Sequence, residues 1–179
     1  KGARMNQKYY GKYRGLVLNN IDPMQMNRLL VQVPDVAGLI PATWAMPCVP
    51  VAGMQNGMVA LPMIGSGVWV EFEQGNPDHP IWVGGYWGAF AETPALANTV
   101  PPALSGITMQ TTLLNGVVVN DAPGIGGVTV YCRGVPMLAV TDAGILISNG
   151  KGATITMVGS AVNVVGTPVD VNLGGLTVT

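Results

Sequence analysis

The last quarter of the chain is written in sevens: Ile155-Thr-Met-Val-Gly-Ser-Ala, Val162-Asn-Val-Val-Gly-Thr-Pro, Val169-Asp-Val-Asn-Leu-Gly-Gly and Leu176-Thr-Val-Thr179. In each unit the first and third residues are apolar and the second is polar, a period of two that sets one side against a core. Heptads can also mean a coiled coil. Here Val and Thr dominate, and Gly159, Gly166, Pro168, Gly174 and Gly175 break the units, which favours strands closed by turns. One such short strand has too little surface to fold alone. Repetition at a fixed period points to stacking, each unit touching its neighbours while the apolar sides join into one core. Seven residues cannot complete a three-sided coil, so the simplest closed geometry is several identical chains, each giving one strand per level around a shared axis. The dry core of that assembly is expected at Ile155, Met157, Val162, Val164, Val169 and Val171.

Upstream the pattern continues with irregular turns, in Val117-Val-Val-Asn120, Val128-Thr-Val-Tyr131, Met137-Leu-Ala-Val-Thr141 and Ile145-Leu-Ile-Ser148. With the sevens these make eight strand segments. Stacked at about 4.8 Å each, they predict a shaft roughly 40 Å long.

Charge divides the chain. Residues 1–92 hold six of the eight Lys and Arg and six of the nine Asp and Glu, and from residue 93 onward the charges are Asp121, Arg133, Asp142, Lys151 and Asp170. So few charges over such a length, with 49% hydrophobic and 9% charged residues overall, fit chains buried in one another. Glycines, prolines and polar residues interrupt every apolar run before membrane-spanning length, and residues 1–14 contain no apolar core of the signal-peptide kind. Cys48 and Cys132 match no metal spacing or redox pair and are expected to be two buried free thiols.

The first half reads as a small barrel. Gly15-Leu-Val-Leu-Asn-Asn20 is a short strand before the turn Asp22-Pro23, and Arg28-Leu-Leu-Val-Gln-Val-Pro34 sets Leu29, Val31 and Val33 on one face. Third and fourth strands are expected near Trp44 to Cys48 and Met58 to Leu61. Gly67-Val-Trp-Val-Glu-Phe-Glu73 alternates with Val68, Val70 and Phe72 inward and Trp69, Glu71 and Glu73 outward, and Ile81-Trp-Val83 follows a turn-rich connection. Five or six short strands at this spacing predict a partly open five-stranded OB barrel.

Gly15-Leu-Val, Asp22-Pro23, Arg28-Leu-Leu-Val-Gln-Val-Pro34, Trp44-Ala, Leu61-Pro62 and the run from Gly67-Val-Trp-Val-Glu-Phe-Glu to Val83-Gly-Gly-Tyr-Trp87 resemble the OB domain of phage baseplate assembly protein V. Contractile-tail spikes and the valine-glycine-repeat proteins of type VI secretion share that domain. The resemblance covers residues 15–88 and implies an all-β trimer, with an N-terminal OB barrel at a tail hub followed by an intertwined β-helix, a triangular prism aimed at the target cell envelope. The implied boundaries are an N-terminal segment at 1–14, the barrel at 15–88, a linker at 89–104 and the shaft at 105–179. A baseplate particle, a phage tail or another contractile injection system assembled in the bacterial cytoplasm, is the implied setting. The hub is the implied partner of Tyr9, Tyr10, Tyr13 and Arg14, because Tyr and Arg concentrate at interface centres. The opposing reading of that segment is a solvated lead-in to the first strand. Some related spikes close their tips with metal-binding histidines. Residues 175–179 contain none, so a separate PAAR-like tip protein is expected over Leu176, Val178 and Thr179.

No catalytic residue, metal or cofactor is expected. The stretch at 89–104 is far too short to hold the lysozyme domain some relatives carry, and Glu71 and Glu73 share one strand face rather than flanking a cleft. His79 is the sole histidine, which removes multi-histidine metal sites, and its place in Asp78-His79-Pro80 reads as a turn. Gly124-Ile-Gly-Gly127 and Asn149-Gly-Lys-Gly152 lack the ending of a phosphate loop and read as turns. Two other functions compete with a structural spike. An OB barrel can stack single-stranded nucleic acid on its aromatics, but the net charge is −1 and no basic stripe follows the strands. A trimeric receptor-binding fibre would be equally rich in strands, but nothing here reads as a receptor-binding head.

Overall fold

Alternating side chains build the first unit, Lys1–Glu92, in a computed structural model that describes residues 7–171 and 176–178, with 170–171 and 176–178 given by their backbone. Its elements are β1 (Tyr13–Asn19), β2 (Leu29–Gln32), a one-turn helix α1 (Pro34–Ala37), β3 (Pro41–Pro47), β4 (Ala52–Gly53), β5 (Asn56–Gly57), β6 (Gly67–Phe72) and β7 (Pro80–Tyr86). Five of them close a barrel in the order β1-β2-β3-β7-β6. All its pairings are antiparallel except β3 with β7, where Met46 lies opposite Ile81 and Pro47 opposite Trp82.

The alternation in β2 and β6 sends Leu29, Val31, Val68, Val70 and Phe72 inward, where they meet Val17, Val33, Ala45 and Trp82 in one buried cluster. Trp82 also needs a partner for its indole N–H and donates it to the Asn27 carbonyl at 3.2 Å. Two expectations are revised. The barrel is closed, not partly open, and Met58 to Leu61 form no strand. Parallel pairing of β7 on β3 takes the ladder edge a strand at 58–61 would have used, so residues 48–66 stay a long connection with only the small β4–β5 hairpin in it.

The second unit, Thr93–Thr179, is described by itself. A short 3-10 turn at Ala95–Thr99 leads to β8 (Gly106–Gln110), β9 (Gly116–Asn120), β10 (Gly127–Cys132), β11 (Val135–Thr141), β12 (Gly144–Ser148), β13 (Thr154–Val158) and β14 (Ala161–Val165). Each pairs antiparallel with the next in sequence, forming one seven-stranded meander. Then β15 (Val169–Val171) and β16 (Leu176–Val178) pair only with each other, Val169 opposite Val178 and Val171 opposite Leu176. The ladder breaks at residues 166–168, where Pro168 has no N–H to give it. The seventh strand, β8, was not anticipated. Within the meander each rung is hydrogen-bonded to the next strand of the same chain.

At the start of the meander the 3-10 turn packs on one side of β8 and β9. Gly106 and Gly116 make that approach possible: a Cβ on Gly106 would stand 2.7 Å from Val100 Cγ1, and one on Gly116 would stand 2.3 Å from the Met109 carbonyl oxygen and 3.1 Å from Leu96 Cδ1. Leu96, whose N–H bonds Gln110 Oε1 at 2.7 Å, is buried there, and so is Val118 at 1% exposure.

Candidate functional site

Register turns the local triads of the meander into one surface. Across the ladder Ile107 faces Val119 and Met109 faces Val117; the same line runs through Val128 and Val130, Leu138 and Val140, Ile145 and Ile147, Ile155 and Met157, and ends at Val162 and Val164. Two residues on each of seven strands, fourteen in all, make this face wholly apolar. The opposite face is mixed: Thr108, Gln110, Asn120, Thr129, Thr141, Ser148, Thr154, Thr156 and Asn163 stand there with Val118, Ala139, Leu146, Val158, Ala161 and Val165, and with Gly106, Gly116, Gly127 and Gly144 among them.

The apolar face is uncovered in the single chain. Ten of its residues are exposed, and Val117, Val119, Val130 and Ile145 are half-buried. The barrel has its own buried cluster of nine apolar residues, whereas among the described residues of the second unit only Leu96, Val118, Ala122 and Ala139 are buried apolar side chains. A contiguous apolar surface of this extent needs a partner of the same chemistry.

Of the expected core residues, Ile155, Met157, Val162 and Val164 lie on this face, with Ile155 opposite Val164 and Met157 opposite Val162. Val169 is half-buried on β15, and Val171 is described by its backbone alone. The upstream members Ile107 and Met109 escaped the sequence reading, although residues 107–109 repeat the Ile-Thr-Met of 155–157. Of the expected tip residues, Leu176 and Val178 are given as strand backbone in β16, and Thr179 lies outside the described residues.

The expected hub residues divide by environment. Tyr9 and Tyr13 stack edgewise at 6.0 Å and lie 6.1 and 5.6 Å from Phe72, at the rim of the barrel core, and the Tyr9 N–H bonds the Gly75 carbonyl at 2.9 Å. Tyr10 is 71% exposed. Arg14 points from the outer face of β1 to the rings of Trp69 and Tyr86, at 5.7 and 5.2 Å. Beside it Lys12 pairs with Glu71. Glu73 and His79 are exposed in the turn before β7, tied by the Glu73 N–H to the His79 carbonyl at 2.9 Å.

One buried charge organises the barrel. Asp22 accepts the Arg28 Nη2–H at 2.7 Å, the Arg28 Nε–H at 3.1 Å, and the backbone N–H groups of Met24, Met26 and Arg28 at 2.9, 2.8 and 3.2 Å. The Arg28 guanidinium, helped by those three amides and opposed by burial, holds the Asp22 carboxyl far below the usual carboxylate range, and Asp22 raises Arg28 in return. This carboxylate satisfies the amides of a β1–β2 connection that includes Gln25 and Asn27 at positive φ. With Arg28 tied to Asp22 and Lys12 to Glu71, two of the barrel's cations are already neutralised.

Cys48 and Cys132 are free, but both are exposed rather than buried on the chain. Cys132 ends β10 beside a tight turn, and Cys48 opens the 48–66 connection, where neighbouring segments give little cover. Among the described residues, no three His, Cys, Asp or Glu side chains converge as metal ligands, and no helix is long and apolar enough to cross a membrane.

Residues 13–87 match the type VI secretion system/phage-baseplate injector OB domain, and residues 106–177 match the phage baseplate V C-terminal trimerisation domain. No curated protein matches the chain. The first match coincides with the closed barrel. The second spans the meander and its uncovered face.

Proposed function

Because the chain belongs to the phage baseplate V family, shares its OB module with type VI secretion injectors and carries that family's trimerisation domain, we propose that its homotrimer is the central spike of a contractile tail baseplate. The observation that carries this reading is the fourteen-residue apolar face, uncovered on one chain and backed by a face on which Thr, Asn, Ser and Gly interrupt the apolar residues. Three copies around an axis, apolar faces inward, bury all three at once and leave the mixed face, with its Thr, Asn and Ser, outside. The product is a triangular prism with a dry interior.

Its role is mechanical. Sheath contraction drives the prism into the target envelope, and the load falls on rungs that are hydrogen-bonded within each chain and packed against two others across the axis. The barrel, in residues 15–88, sits on the tail hub through the N-terminal segment 1–14: Tyr10 and Arg14 are open to the hub, and Tyr9 and Tyr13 hold that segment on the barrel rim. Residues 89–104 join it to the shaft at 105–179. A PAAR-like tip protein covers the β15–β16 hairpin, at Leu176, Val178 and Thr179. Assembly takes place in the bacterial cytoplasm.

Cryo-electron microscopy of purified particles with an epitope inserted at the tip of the β4–β5 hairpin tests this. The expected result is three copies of the tag around the baseplate axis below the hub. Tag density on the sheath or on peripheral fibres refutes the spike.

A further inference from the structure

Charge in the second unit is sorted by turn. A seven-stranded meander has six turns, three on each lateral edge. Residues 111–115, 133–134 and 149–153 lie on one edge, and 121–126, 142–143 and 159–160 on the other. Hydrogen bonds tie neighbouring turns of the same edge, from Gly134 N to the Leu114 carbonyl at 3.0 Å on the first and from Asp142 N to the Gly126 carbonyl at 3.2 Å on the second. The first edge carries Arg133 and Lys151, the only cations after Arg28. The second carries Asp121 and Asp142. All four are exposed; Asp142 accepts the Gly124 N–H at 3.2 Å, but among the described residues both ion pairs of the chain lie in the barrel, so none of these four charges meets an opposite charge within the chain. Asp170 lies within β15 and belongs to neither edge.

In a cyclic trimer with apolar faces inward, the first edge of each copy borders the second edge of the next, a head-to-tail contact repeated three times. Turns on the two edges alternate in height. The Arg133 turn joins the third and fourth strands, midway between the turns of Asp121 and Asp142, and the Lys151 turn comes one rung beyond that of Asp142. One rung is about 4.8 Å, within reach of a Lys or Arg side chain. We infer that the lateral edges of neighbouring copies mesh like teeth, with Arg133 and Lys151 of one copy engaging Asp121 and Asp142 of the next, and that this pairing selects the parallel three-fold arrangement. Two meanders packed face to face but antiparallel, related by a two-fold along the strands, would set like-charged edges together and repel. The apolar faces supply the attraction; the edges supply its direction.

The inference rests on the homotrimer, and the test separates the two. Three variants of the full chain are compared with the parent by native mass measurement and thermal dissociation: Arg133→Glu with Lys151→Glu, Asp121→Lys with Asp142→Lys, and all four together. At low ionic strength, where the Debye length is about 30 Å, each double variant is expected to hold the trimer at least about tenfold less tightly; at about 1 M salt the difference shrinks. The fourfold variant, whose edges are again complementary, recovers the parent's behaviour. A parent that is not trimeric overturns the assembly itself. A trimeric parent whose double variants match it at low salt, or a fourfold variant that fails to trimerise, overturns the edge pairing.

Discussion

Val164 and Val165 are adjacent on β14 and almost equally exposed in the single chain, 54% and 55%, but they stand on opposite faces of the meander. Substituting each by Asp therefore isolates the face from the residue. Val164 lies opposite Ile155, inside the surface the trimer covers. A carboxyl there is neutralised rather than buried as an ion, and holding it neutral at pH 7 costs about 1.4 kcal/mol for each unit above its ordinary pKa near 3.9. That is roughly 4 kcal/mol per chain and about 12 kcal/mol for three, or about nine powers of ten in the association constant. Val164→Asp is expected to abolish the trimer at micromolar concentration. Val165→Asp, on the opposite, mixed face across from Thr154, is expected to change stability by about 0.5 kcal/mol or less. Because the carboxyl is uncharged in the assembled state, its pKa is raised there, and lowering the pH toward 4 returns Val164→Asp to the trimer. Sedimentation of both variants at pH 7 and pH 4 decides the matter. An intact Val164→Asp trimer at pH 7, or equal disruption by both substitutions, refutes the inward-face reasoning.

The Asp22 carboxyl is held low in the folded barrel by Arg28, so its contribution to stability is complete above the unfolded pKa, about 3.9, and is lost as pH falls through the folded value. Acid titration of barrel unfolding should slope downward below about pH 4, and Asp22→Asn should flatten that slope while lowering stability at pH 7. Leu29→Ala empties a fully buried position and should lower barrel stability by about 2–5 kcal/mol in chemical denaturation, against about 0.5 kcal/mol or less for Leu39→Ala at 86% exposure. Gly116→Ala drives a methyl into the Met109 carbonyl and should destabilise the second unit by about 1–3 kcal/mol, read as a lower melting temperature. Tyr10→Ser should weaken capture of the hub protein without moving the barrel's melting temperature, whereas Tyr13→Ala should lower that temperature because Tyr13 packs on Phe72.

Strand positions were legible because a two-residue period needs only local sequence to be seen. The inward set of β6 and the Leu29, Val31 and Val33 face of β2 follow from counting alone. Closure of the barrel was not legible, since the parallel contact of Met46 with Ile81 joins segments far apart whose sequences carry no mark of each other. The same limit hid the extent of the apolar surface. The sevens exposed its last members, but Ile107 joins Val164 on one surface only through six successive registers, and a triad such as Leu138-Ala-Val140 does not announce which neighbour it will face. The Asp22 network was half visible: Asp-Pro marks a turn, but the arginine six residues on that neutralises it could equally have stood in water.

Because every strand of the meander binds the next one in sequence, the ladder behaves as a ruler graduated in rungs. Adding seven residues of the tail's pattern would lengthen it by about 4.8 Å but would leave the chain running in the opposite direction, with every later turn moved to the other edge. Adding fourteen lengthens it by about 9.6 Å and restores both direction and edge. Descendants of this chain can therefore grow or shorten by whole hairpins without redesigning anything downstream, and a change by a single rung inverts the order of charges for the rest of its length.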